Sequence, residues 1–216
     1  MASGGNVQKS DQVSLYFLSD LDKFRVFVEL SERHWSEEVT KYNKSDIEID
    51  ETICWERYKY RNNLSAHLQE VFPQYQKQSF LLMLVSLFED YLNQLCHSLH
   101  FEKELSSNLK EHKGSGIERA KKYLSKVAKI NVPAGTKPWS TIIDARNIRN
   151  IIAHNAGHLD EEMHSKQLNL VAKNDHLKAH NFARVHLEVT QVYLFEVIEA
   201  MISITNQLWY NTKKDA

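Results

Sequence analysis

Apolar residues recur at helical spacing through most of the chain, and the breaks between runs divide it into helices. Leu15, Leu18, Leu21, Phe24, Phe27, Val28 and Leu30 follow a three-to-four-residue period, which predicts the inward stripe of a helix from about Asp11 to Thr40. Asn43–Ile49 is polar and β-branched and reads as a connection. A second helix is expected from about Asp50 to Val71, with Ile53, Tyr60, Leu64 and Leu68 inward and Glu56, Arg57, Lys59 and Arg61 on its polar face. Pro73 is expected to separate it from a third helix, because the residue before proline disfavours the α region. That third helix, about Gln74–His100, has the widest apolar face, with Leu81, Leu84, Val85, Phe88, Tyr91, Leu92, Leu95 and Leu99. Its first turns are apolar nearly all round, the mark of a central buried helix.

Lys103–Ser115 reads as a polar loop, and a fourth helix is expected over Ile117–Ile130. In that helix Ile117, Ala120, Leu124 and Val127 line one side, and Lys122, Lys126 and Lys129 another. Asn131–Pro138 is a break, and Pro138 suits the first turn of a fifth helix, about Trp139–Asn155, which Gly157 stops. Glu161–Asn174 is a short helix or an ordered loop, and Phe182–Val189 alternates weakly enough to be briefly extended. Thr190 is a natural N-cap for the last helix, whose core stripe is Leu194, Phe195, Ile198, Met201, Ile202, Thr205, Leu208 and Trp209. The organisation expected is a flexible tail at 1–10, an N-terminal helical extension at 11–72, a helical bundle at 73–210 and a frayed tail at 211–216.

Composition supports an all-α protein. Six Gly and three Pro in 216 residues are too few for a sandwich, a barrel or a doubly wound sheet, each of which needs frequent turns. No run approaches the ~18–20 apolar residues of a membrane span. Met1–Ser10 has no hydrophobic segment and so is not read as a secretory signal. The expectation is a cytoplasmic protein with Cys54 and Cys96 as reduced, buried thiols. Lys+Arg number 27 against 28 Asp+Glu, a formal net charge of −1, so any polyanion site must be local.

One segment concentrates polar chemistry: Arg146-Asn147-Ile148-Arg149-Asn150-Ile151-Ile152-Ala153-His154-Asn155. With Arg146 at zero on a helical wheel, Asn150 lies at roughly +40°, His154 at roughly +80°, Arg149 at roughly −60° and Ala153 at roughly −20°. Arg149, Arg146, Asn150 and His154 therefore share one face around the small Ala153, while Ala145, Ile148 and Ile152 sit opposite. An imidazole titrates near neutrality and moves protons either way. A guanidinium is a permanent planar donor to phosphate oxygens. Arg and His together suit phosphodiester transesterification, in which a 2′-hydroxyl attacks its own phosphate and cationic donors stabilise the pentavalent state. No metal or other cofactor is needed for that. The bland alternative is a solvated polar helix face.

Arg149-Asn150-Ile151-Ile152-Ala153-His154 resembles the signature of the HEPN superfamily, Arg then four to six residues then His, often with Asn after the Arg. Ser86-Leu87-Phe88-Glu89-Asp90-Tyr91-Leu92 on a long hydrophobic helix is similar to an earlier helix of that fold, and the resemblance spans roughly Gln74–Leu208. It implies a HEPN-like helical bundle and a metal-independent endoribonuclease acting on RNA. The implied biology is that of a toxin or an antiphage effector, with an antitoxin or regulatory protein as a possible partner. It also implies a homodimer in which two motif copies form one composite site. Carried over, Arg149 contacts the scissile phosphate, His154 is the acid or base and Asn150 orients the site. Products would carry a 2′,3′-cyclic phosphate. Some members carry a modifiable Tyr shortly after the His, whereas here Asn155, Ala156 and Gly157 follow His154. Other members bind proteins, nucleotides or RNA and cut nothing.

Four further residues are candidates for binding or orienting the substrate. The resemblance implies that Glu89, an acidic residue on the earlier helix, orients Arg149; Arg146, one turn before Asn150, would add a phosphate contact. Lys122 and Lys126, with Lys121 and Lys129, form a basic patch that would steer an RNA backbone. The spaced pairs His154/His158, His176/His180 and His97/His100 lack the further ligands of a closed zinc site, so no metal is expected.

Overall fold

Helix α2 (Phe72–Glu102) is the hub of the fold, as its apolar pattern predicts. Phe80, Leu81, Leu84, Val85, Phe88, Leu92, Leu95 and Cys96 are buried around several of its sides. The computed structural model describes residues 8–44, 64–160, 164–181 and 185–214. Most of the expected second helix, with Cys54, lies outside them. Around α2 pack α1 (Lys9–Lys44), α3 (Gly116–Lys126), α4 (Lys137–Asn155) and α6 (Gln191–Lys214), while the short α5 (Ser165–Ala172) lies against α4. Their inward side chains form one continuous apolar cluster.

Pro73 does not separate two helices. A π-helical turn, His67–Val71, runs directly into α2, and Pro73 sits in the first turn of α2. The Phe72 N–H reaches back five residues to the His67 carbonyl, so the chain widens where proline supplies no donor.

Helix α1 follows a seam that the apolar pattern misdraws. Ser10, Ser14, Phe17, Leu21, Phe24, Val28 and Ser31 face inward, steps of four and three residues. The expected inward residues Leu15, Phe27 and Leu30 are instead about half exposed, at 47%, 50% and 51%. Serines on the seam let α1 approach α2 closely. Ser14 Oγ lies 3.3 Å from the hydroxyl of Tyr91, and the Phe17 ring stacks on Tyr91 at 4.5 Å. Burial pushes the Tyr91 phenol up to about 12. Trp209 of α6 donates its indole N–H to Asp11 of α1. The expected frayed end is helical as far as Lys214, with Lys213 over the Trp209 ring and 3.7 Å from Asp11.

Helix α3 stops at Lys126 rather than Ile130. Lys129 takes a left-handed conformation (φ 58°), which lets Ile130 N–H bond back to Leu124 O at 2.9 Å. Thr190 caps α6 as expected, accepting from Tyr193 N–H at 3.2 Å.

The mostly helical architecture agrees with the all-α expectation; a small antiparallel sheet accompanies the helices, with β1 (His158–Leu159), β2 (Leu177–Asn181) and β3 (Val185–Val189) in the order β1-β3-β2. Only the extended stretch near Val189 was legible in the pattern. In β3, Val185, Leu187 and Val189 turn to the core, while His186 and Glu188 face away. Two buried glutamines dock the sheet on α2. Gln78 donates to Leu187 O at 3.1 Å, and the Gln74 amide, oriented so that both its atoms find partners, donates to Val189 O and accepts from Val189 N–H, as a neighbouring strand would. No helix among the described residues is long and apolar enough to cross a membrane.

Two substitutions on α1 separate its buried seam from its exposed stripe. Leu21→Ala is expected to cost about 2–5 kcal/mol in urea unfolding. Leu15→Ala is expected to stay within about 0.5 kcal/mol.

Candidate functional site

Helix α4 carries the polar segment. It starts at the Thr136 N-cap, with Pro138 in the first turn, and is anchored by buried Trp139, Ile142, Ala145, Ile148, Ile151 and Ile152. Those anchors force the other side outward. Arg146 and Arg149 are partly buried, and Asn150, Ala153 and His154 are exposed. The polar residues therefore lie on one face, as the wheel predicts, with Ala145, Ile148 and Ile152 opposite.

Arg149 is held from α2. Its Nη2 donates to Glu89 Oε1 at 2.9 Å, with both side chains about three-quarters buried. An ion pair shielded to that degree is screened less by salt than a surface pair. The Arg149 Nε is buried with no acceptor. Glu89 is in turn seated against the start of α3. Gly116 has φ +52°, and a Cβ there would lie 2.8 Å from Glu89 Oε1. Only a residue without a side chain leaves the carboxylate this place. Arg146 lies 3.9 Å from Glu118 in the first turn of α3, and Lys121 is also 3.9 Å from Glu118. Lys121 further sits over the Trp139 ring at 5.7 Å. α2, α3 and α4 thus meet through alternating charges beside the outward face.

The position of His154 is set by the end of α4. Ala156 (φ 51°) and Gly157 (φ 76°) are both left-handed, and Gly157 N–H points to Ile151 O at 3.5 Å. Gly157 O accepts from Leu187 N–H at 2.9 Å, and a Cβ at Gly157 would lie 2.8 Å from Gln78 Nε2. The helix therefore ends against β3 and α2, with His154 in its last turn.

The other candidates lie apart from this group. Lys122 and Lys126 point to solvent from α3. Sequence reasoning missed Gly116, Glu118 and Gln78. The Gly114-Ser115-Gly116 run was the available signal for the first. Among the described residues no group of three or more His, Cys, Asp or Glu side chains converges as a metal cage. Cys96 is fully buried, and burial pushes its thiol up to about 12. Asp144, on the same helix, has its carboxyl raised by burial, with Lys137 opposing and Glu196 adding to the shift. No family model, no curated protein and no solved structure matches the chain.

Gly116→Ala is expected to destabilise by about 1–3 kcal/mol through left-handed strain and the clash with Glu89. In a Glu89→Ala background it should cost less, and a double-mutant cycle in urea reads that coupling. Asp144 gives a pH signature. Its folded pKa lies above the unfolded one, so its ionisation costs stability as pH rises through the folded value. Asp144→Asn should therefore raise Tm at neutral pH, and the gain should vanish in acid below the ordinary carboxylate range.

Proposed function

We propose that this chain is a HEPN-type, metal-independent endoribonuclease that cleaves RNA by 2′-hydroxyl transesterification. The observation that carries the reading is the outward face of α4. There Arg149, held by Glu89, shares a surface with exposed Asn150 and His154 around the small Ala153. In the reaction a neutral imidazole takes the 2′-hydroxyl proton and the oxygen attacks the adjacent phosphorus. The bond from phosphorus to the 5′-oxygen breaks, and that oxygen takes a proton from an imidazolium. The products are a 2′,3′-cyclic phosphate and a 5′-hydroxyl. Arg149 stabilises the charge on the pentavalent phosphorane, and Asn150 orients the reacting groups. One His154 cannot be base and acid in the same instant. A homodimer that brings two motif faces together supplies both groups, and Ala153 leaves room for that approach. Arg146 adds a phosphate contact, while Lys122 and Lys126 draw in the RNA backbone. The biological role that fits is a toxin or antiphage effector in the cytoplasm, restrained or triggered by an antitoxin or regulatory partner.

A second reading, a non-catalytic helical module that binds a protein, nucleotide or RNA partner, draws on the net charge of −1 and on the pairing of Arg149 by Glu89. Cleavage of a labelled structured RNA in EDTA separates the two. The nuclease reading expects cyclic-phosphate ends from the wild type and a loss of about 10²–10⁴ in rate in His154→Ala. Equal cleavage by both proteins, or none by either across structured and single-stranded RNAs, overturns it. RNA binding that weakens steeply with salt, without cleavage, points to the module.

A further inference from the structure

Six of the 11 histidines fall between residues 154 and 186, and the sheet gathers some of them. Its register pairs His158 of β1 with His186 of β3, and His186 with His180 of β2, so one row across three strands carries three histidines. Leu159 and Leu187, the alternate positions, are buried in the core, which puts the His158 and His186 rings together on the outer face. Those two rings are 5.1 Å apart between centroids and inclined at 60°. The His158 Nδ1 is shielded from solvent and has no hydrogen-bond partner.

We propose that His158 and His186 hold a borderline-soft divalent cation, Zn²⁺ above others, between their rings. At a metal–nitrogen distance of about 2.0–2.1 Å and a tetrahedral angle, two imidazoles aimed at one zinc have centroids roughly 5 Å apart. The 5.1 Å centroid separation in this sheet matches that value. Neutral imidazole suits zinc, copper and nickel far better than calcium or magnesium, which prefer oxygen. Two protein nitrogens leave the remaining positions to water or an incoming ligand, an open site. Glu188, two residues along β3 on the same outer face, is paired with Lys178 at 3.8 Å and is not counted as a ligand. β1 has only two residues, and a metal bridge from it to β3 would clamp the chain where it leaves α4. The proposal is independent of the nuclease reading, because it concerns the sheet and none of the residues assigned to cleavage.

The test uses untagged full-length protein, stripped with EDTA, dialysed and titrated with ZnCl₂ by calorimetry and thermal unfolding. The expected result is one Zn²⁺ per chain and a Tm raised by several degrees, with MgCl₂ giving neither. His158→Asn and His186→Asn should each weaken Zn²⁺ binding at least tenfold, whereas His97→Asn on α2 leaves it unchanged. Circular dichroism checks that the variants fold. A readout free of any variant is the ¹⁵N spectrum of the histidine rings in the wild type, where the His158 and His186 signals should move on Zn²⁺ addition. No binding by the wild type, binding unaltered by both Asn substitutions, or ring signals that stay in place would each overturn the proposal.

Discussion

Everything in this molecule hangs on the burial of one helix. α2 presents apolar side chains in several directions, and α1, α3, α4, α6 and β3 each cover part of it. A helix with that pattern is stable only when enclosed, so its neighbours are under a strong common constraint. The few polar groups on it then acquire fixed roles. Gln74 and Gln78 satisfy the backbone of β3, and Glu89 meets Arg149. Each sits where a buried or half-buried polar atom must find a partner.

The candidate site is a by-product of that enclosure. α4 is tied down by its apolar face, and its polar face is what remains outside. Its middle and its end are held in different ways. The middle is locked through Arg149 and Glu89, and that lock depends on the absence of a side chain at Gly116. The C-terminal end is turned by Ala156 and Gly157 into β1, whose partner β3 is pinned to α2 through Gln78. His154 therefore lies between two points of attachment, on an exposed turn supported by rigid elements. The opposed charges of Glu118 with Arg146 and Lys121 keep the local field balanced, in keeping with a chain of nearly zero net charge.

The helices were legible because 3.6-residue periodicity survives wherever a helix has one covered side. α2, α4 and α6 fall close to their expected bounds, and the polar face of α4 was readable from spacing alone. The approach of Glu89 to Arg149 was suggested only by the family resemblance, since no spacing argument links residues sixty apart in the chain. Where reading failed, the reason is physical in each case. On α1 two apolar stripes lie side by side, and close packing selected the one with serines at its ends over the one with Leu15 and Leu30. At Pro73 a wider turn absorbed the missing donor. The sheet was only glimpsed because its strands are two to five residues long, too short for alternation to stand out.

By itself, the sequence determined a mostly helical chain, a central buried helix and a face of Arg, Asn and His on one later helix. Those are consequences of period and composition, which act locally along the chain. The tertiary structure alone decided which stripe of α1 turns inward, how Gly116 seats Glu89, and which histidines meet across the sheet. Those outcomes join residues far apart in the chain, such as Gln78 with Leu187 and His158 with His186. They depend on close packing between elements, where a single Cβ atom is enough to change the result.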